Sequence, residues 1–141
     1  MNFTLNEIDD VARKVLELVD SKTILVYGEM GVGKTTLIAA LVKALGGTEK
    51  TSSPTFSLIN EYQVKDDTVY HFDLYRLKDA YEALDIGIED YFSSGHWVLI
   101  EWPEKIDVLL PSLSVKLYIK TLKNGSRALD LELVNSKLEK S

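Results

Sequence analysis

The chain has 141 residues, 45% of them hydrophobic and 27% charged, a balance that suits one globular domain with a core of its own. The absence of cysteine excludes disulfides, thiolate metal sites and cysteine nucleophiles together. A net charge of −6 argues against a general nucleic-acid-binding surface, no apolar run nears the ~20 residues of a membrane span, and no basic-then-apolar leader opens the chain, so a cytoplasmic location is expected.

The first expected element is an amphipathic helix from Thr4 to Val19. Thr4 and Glu7 have capping-box spacing, and Leu5, Ile8, Val11, Ala12, Val15, Leu18 and Val19 form one apolar stripe that must pack on a sheet. Thr23-Ile24-Leu25-Val26-Tyr27 reads as a buried strand. It runs straight into Gly28-Glu29-Met30-Gly31-Val32-Gly33-Lys34-Thr35, which fits the phosphate-binding loop pattern G-x-x-x-x-G-K-[ST]. The run from Thr35 to Leu45 supplies the helix that this loop requires, so that backbone N–H groups and the positive helix end converge on phosphates. In such a loop Lys34 reaches the β- and γ-phosphates, Thr35 offers its hydroxyl to Mg²⁺, and Thr36 donates to the α-phosphate.

Beyond the helix, Ser52, Ser53, Thr55 and Ser57 surround Pro54. The hydroxyls suit either a segment that senses the γ-phosphate or a plain proline turn, and the sequence leaves both open. Ser57 to Val64 and Thr68 to Phe72 are expected to pair as a hairpin turning at Lys65-Asp66-Asp67. Leu77 to Leu84 reads as a short helix whose acids, with Asp85, Glu89 and Asp90, form a solvated face. Trp97 to Ile100 reads as a second buried strand ending at Glu101. A C-terminal hairpin follows, with alternation through Val115, Leu117, Ile119 and Thr121, a turn at Asn124-Gly125, and Leu129, Leu131 and Leu133 on return. Residues 135–141 are expected to be a flexible tail to a single domain spanning 1–141.

Helices alternating with strands around an early phosphate loop predict an α/β fold of the P-loop NTPase type, a mostly parallel sheet flanked by helices with added β-hairpins. Ligands in such folds sit beyond the carboxyl ends of the strands. Both Asp73 and Glu101 fall there, and either can serve Mg²⁺; the assignment preferred is Glu101 as metal ligand with Thr35, and Asp73 as the acid that orients the attacking water. His71, between Tyr70 and Phe72, reads as a packed histidine bonded to a neighbour, and His96 as an exposed turn residue; neither has zinc-ligand spacing. Trp102 beside Glu101 can pack on a nucleotide, face a partner or sit under Pro103.

Four segments in this order, Gly28 to Thr36, Ser53-Pro54-Thr55-Phe56, His71-Phe72-Asp73-Leu74-Tyr75-Arg76-Leu77 and Glu101-Trp102-Pro103-Glu104, closely resemble the bacterial TsaE family over about residues 1–134. The resemblance implies a small ATPase required for threonylcarbamoyladenosine at position 37 of tRNAs that read codons starting with A. It implies partners TsaB and TsaD, whose complex ATP hydrolysis resets, and contact with tRNA only through that complex. Residue by residue it implies Glu29, Met30, Gly31, Val32, Gly33, Lys34, Thr35 and Thr36 for ATP, Thr35 and Glu101 for Mg²⁺, Asp73 with Lys34 for hydrolysis, and Ser53 to Phe56 as a switch-like loop. Trp102 would lie near the nucleotide and Arg127 on the adenine side.

Two rival classes share the loop. A small-molecule kinase clamps the moving phosphoryl group with several arginines, but this chain has only Arg13, Arg76 and Arg127. A GTPase switch would show Asp followed three residues later by Gly and an Asn-Lys-x-Asp motif, and neither is present. A nucleotide-binding module with negligible turnover fits the same residues as an ATPase. With so few arginines, slow turnover that a partner accelerates is expected.

Overall fold

The apolar run Thr23–Tyr27 lies in the middle of a mixed sheet, with a parallel neighbour on each side. The structure is a computed structural model and describes residues 1–47 and 58–134. In chain order its elements are strand β1 (Asn2–Phe3), a 3₁₀ turn at Leu5–Glu7, helix α1 (Ile8–Leu18), β2 (Thr23–Tyr27), α2 (Lys34–Ala44), β3 (Ile59–Val64) and β4 (Asp67–Asp73). There follow α3 (Ala80–Asp85), α4 (Ile88–Phe92), β5 (Trp97–Glu101), a 3₁₀ segment at Pro103–Leu109, β6 (Val115–Thr121) and β7 (Arg127–Glu132).

Among the described residues the strands form one sheet in the order β1-β7-β6-β2-β5-β4-β3. The central four, β6, β2, β5 and β4, run parallel, and antiparallel partners close both edges. Both expected hairpins are present, pairing β3 with β4 and β6 with β7. The four central strands end on one side of the sheet, and this is the edge that carries Tyr27, Asp73 and Glu101.

Period-two alternation divides the core into two layers. Ile24, Val26, Leu99, Leu117 and Ile119 face α1 and α2, whereas Leu25, Phe72, Val98 and Ile100 face α3, α4 and the 103–109 segment. Helix α2 buries Leu37, Ile38, Ala40, Leu41 and Val42, which is why its sequence lacks a polar stripe. Leu37, Ile38 and Leu41, fully buried, each contribute roughly 1.5–3 kcal/mol, so this helix is anchored firmly behind the phosphate loop.

The first helix differs from expectation at its ends. The capping box is formed, with the Thr4 N–H donating to the Glu7 carboxylate at 2.8 Å, but the opening turn is 3₁₀. Three residues per turn rotate Leu5 away from the stripe, and it is exposed, as is Leu18 at the far end; Val11, Ala12 and Val15 alone are buried. The short helix starts later than expected, at Ala80, because the Asp79 side chain accepts from the Glu82 N–H and caps it. Helix α4, the 103–109 segment and β1 were not legible, each being too short to show a period. The Ser53-Pro54-Thr55-Phe56 segment and the tail at 135–141 lie outside the described residues.

Candidate nucleotide and metal site

The loop between β2 and α2 takes its shape from two glycines in the left-handed region, Gly31 at φ 83° and Gly33 at φ 107°, the second capping α2. Gly28 is needed for a different reason. A Cβ there would lie 2.7 Å from the Ile119 carbonyl oxygen and 2.9 Å from the Val32 side chain, so the loop can leave β2 this close to β6 only without one.

Met30, Gly31, Gly33, Lys34, Thr35 and Thr36 line a cavity of about 370 Å³, closed on the other side by Asp73, Tyr75, Glu101 and Trp102. Residues that are far apart in sequence are thus brought together around the N-terminus of α2. Glu29 and Val32 line a neighbouring cavity of about 470 Å³ with Tyr118 and Lys120. Arg127 lines neither cavity; its Nε donates to the Val32 carbonyl at 3.2 Å and its guanidinium to the Gly125 carbonyl at 2.8 Å, bracing the loop against the C-terminal hairpin.

Strand pairing sets the acids. Asp73 and Glu101 are register partners at the ends of β4 and β5. The Thr35 hydroxyl donates to Glu101 Oε1 at 2.8 Å, and the other carboxylate oxygen, Oε2, lies 2.6 Å from His71 Nε2. Burial favours a protonated Glu101, but the hydrogen bond and charge of His71, the Thr35 hydroxyl and the Lys34 ammonium outweigh it and hold the carboxyl below its ordinary range. Asp73 is exposed, and its Oδ1 accepts the Tyr75 N–H at 3.2 Å. The expectation for His71 of a packed, bonded histidine holds, but the neighbour it bonds is the candidate metal acid. The two-residue spacing of His71 and Asp73 shows in the sequence that both share one face of a strand, but not that His71 reaches Glu101.

Lys34 is buried and donates to the Gly28 carbonyl. Burial lowers its pKa, against the opposing pull of Glu101, Glu104 and Asp73. Its ammonium also lies 3.2 Å from the centroid of the Trp102 ring, and the Tyr75 ring lies tilted against the same indole with centroids 5.2 Å apart. Trp102 has φ 61° and ψ 47°, a left-handed conformation that is an outlier for a bulky residue and costs roughly 1–3 kcal/mol. Such strain persists where the surroundings over-determine it, here between the end of β5 and Pro103.

The donor set suits Mg²⁺: hard oxygens of Thr35 and Glu101 in contact, with the Asp73 carboxylate on the same cavity wall. Among the described residues there is no group of three or more His, Cys, Asp or Glu that could hold a metal ion. His96 keeps 42% of its side chain exposed, in line with the exposed turn residue expected, but it has a partner that the sequence did not show. It lies at the opposite end of the strands, where its Nδ1 and the Lys22 ammonium each donate to Asp67 at 2.7 Å. No helix among the described residues is long and apolar enough to cross a membrane.

A family model described as threonylcarbamoyl adenosine biosynthesis protein TsaE matches residues 3–129. The chain belongs to the TsaE family. Curated TsaE proteins include one from Haemophilus influenzae, 42% identical over 106 residues that span 74% of this chain and 67% of that one. Another, from Bacillus subtilis, is 34% identical over 79% of this chain and 70% of its own length. Both are named tRNA threonylcarbamoyladenosine biosynthesis protein TsaE. The fold agrees: the crystal structure of Bacillus subtilis YdiB superimposes with a TM-score of 0.77 over 97% of this chain and 85% of that one, at 24% identity. The P-loop NTPase fold expected from the sequence is therefore the fold found, and the TsaE matches fall across the loop, both acids and Trp102.

Proposed function

We propose that the chain is a Mg²⁺-dependent ATPase required for threonylcarbamoyladenosine at position 37 of tRNAs that read codons starting with A. In this reading it binds a TsaB–TsaD complex and resets it through ATP hydrolysis, in the cytoplasm, touching tRNA only through that complex. The observation that carries the ATPase reading is the Thr35–Glu101 hydrogen bond at 2.8 Å, in one cavity with Lys34 and Asp73. The curated names of its relatives support the tRNA pathway.

The residues divide the work by position. Backbone N–H groups at the start of α2, from Gly31 to Thr36, and the Lys34 ammonium hold the triphosphate, with Thr36 on the α-phosphate. Lys34 must exchange the Gly28 carbonyl and the Trp102 ring for phosphate oxygens. Thr35 and Glu101 would hold Mg²⁺, which when bound neutralises phosphate charge as the bond to the leaving group lengthens. Asp73 has one oxygen fixed by the Tyr75 N–H, and it orients the attacking water and takes its proton. Glu29, Met30 and Val32 shape the loop backbone, Trp102 borders the nucleotide and Arg127 the adenine side.

No arginine lines the cavity. An arginine supplied to such a transition state is worth about 10³–10⁵ in rate, so the chain alone is slow and a partner completes the site. The test is Mg²⁺-dependent phosphate release by the purified chain, alone and with TsaB and TsaD, using Lys34→Ala as blank. Strong stimulation by the pair is expected. Phosphate release that the pair leaves unchanged overturns the partner reading, and release equal to the blank overturns the ATPase.

A further inference from the structure

We infer that His71 is a positioning residue for the metal site, holding the Glu101 carboxylate in the rotation that presents one oxygen to Thr35 and to Mg²⁺. This inference rests on the functional reading above.

A glutamate carboxylate turns easily about its last torsion, whose preferences are broad, so nothing in Glu101 itself decides where its oxygens point. Two partners decide it. Oε1 faces the cavity and accepts from the Thr35 hydroxyl, while Oε2 faces the interior and lies 2.6 Å from His71 Nε2. An ionised carboxylate only accepts hydrogen bonds, so Nε2 is the donor. The side chains of both His71 and Glu101 are almost wholly buried, at 6% and 4% exposure, and water cannot take over the role of the ring.

A competing partner stands close by. Lys34 acts on Glu101 through its charge, yet the two form no ion pair; the ammonium is held instead by the Gly28 carbonyl and the Trp102 ring. A carboxylate released from His71 would be free to turn toward that cation, and would then be lost to the metal while occupying the group that phosphates need. Among the described residues His71 Nδ1 is buried without a hydrogen-bond partner, so within them the polar bonding of the ring is directed at Glu101. Strand register makes the arrangement rigid: His71 and Asp73 share one face of β4, and Asp73 is the register partner of Glu101.

The experiment measures ATP binding by calorimetry in EDTA and across a series of Mg²⁺ concentrations, with a thermal melt of each protein. The proteins are the native chain, His71→Leu, His71→Asn and His71→Gln. The Gln amide reaches the position of Nε2 and donates there; the Asn amide is polar but too short; Leu fills space without donating. Groups that hydrogen-bond a metal ligand typically carry about 10–100-fold in metal affinity. His71→Leu and His71→Asn should therefore raise the half-saturating Mg²⁺ about tenfold or more while lowering ATP affinity in EDTA far less than ATP affinity in Mg²⁺, and His71→Gln should restore the native Mg²⁺ dependence. Should His71→Leu fail to melt cooperatively, the Asn and Gln pair decides. Native Mg²⁺ dependence in His71→Asn overturns the inference, as does a loss of ATP affinity in EDTA as large as that in Mg²⁺, or a His71→Gln protein no better than His71→Asn. A native chain whose ATP binding ignores Mg²⁺ overturns the functional reading instead.

Discussion

The Lys34 ammonium and the Trp102 ring lie 3.2 Å apart, so the lysine that a phosphate loop aims at its ligand is engaged by an aromatic face at the mouth of the same cavity. The contact couples the phosphate loop to the end of β5 through two side chains that are 68 residues apart in sequence.

A lysine moving onto phosphate must leave that ring, and the indole reports it. With Trp97 replaced by phenylalanine so that Trp102 is the single tryptophan, and with excitation chosen to avoid tyrosine, saturating ATP and Mg²⁺ should change the emission. A spectrum indifferent to nucleotide would place Trp102 away from the bound ligand.

Lys34 and Asp73 should fail differently. Lys34→Ala should lose both ATP binding and hydrolysis, whereas Asp73→Asn should bind ATP normally and hydrolyse it about 10²-fold or more slowly, the usual worth of a positioned general base. Calorimetry for binding beside phosphate release for turnover separates the two, and normal turnover in Asp73→Asn removes that residue from the chemistry.

Gly28 is a packing constraint more than a conformational one. Gly28→Ala drives a methyl into the Ile119 carbonyl at 2.7 Å, and urea unfolding should show a loss of about 1–3 kcal/mol, as overpacking usually does. Stability equal to the native chain would mean that β6 can give way there.

The Asp67 cluster predicts an acid-sensitive edge. Lys22, then His96, hold the Asp67 carboxyl well below its ordinary 3.8 against a smaller opposing effect of burial, and the Thr68 N–H adds to them. A depressed folded pKa contributes stability that is complete above 3.8 and lost as pH falls below it. Both cationic partners are substantially exposed, which limits the contribution to about 1–2 kcal/mol. Urea unfolding of Asp67→Asn should therefore fall short of the native chain by that amount at about pH 6, with the gap narrowing as pH falls below 3.8. A difference that is constant with pH would show that the cluster acts by shape and not by charge.

The acid at the end of β5 shows how far one-dimensional reading reaches. Its place followed from an apolar run closed by a carboxylate, because a strand buried on both faces announces itself in composition. That His71 holds its second oxygen was not legible, since the 2.6 Å contact joins two strands through parallel pairing and no local period encodes which strands become neighbours. The partner of His96 was hidden for the same reason: Ser93-Ser94-Gly95 marks an exposed turn, but Asp67 comes from the β3–β4 hairpin. Arg127, for which the adenine side is proposed, also braces the Val32 carbonyl across β6, a contact that no local pattern shows.

What the amino-acid order determined by itself is local and periodic: the phosphate loop between a strand and a helix, the capping box at Thr4, the two hairpins, and the acids at strand ends. These depend on backbone sterics and on which residues can be buried, both readable within a window of a few residues. Only the tertiary structure decided the order of strands in the sheet, the strained Trp102 over Lys34, and the chain of bonds from Thr35 through Glu101 to His71. Those depend on packing two layers of helices against one twisted sheet, an energy summed over the whole core.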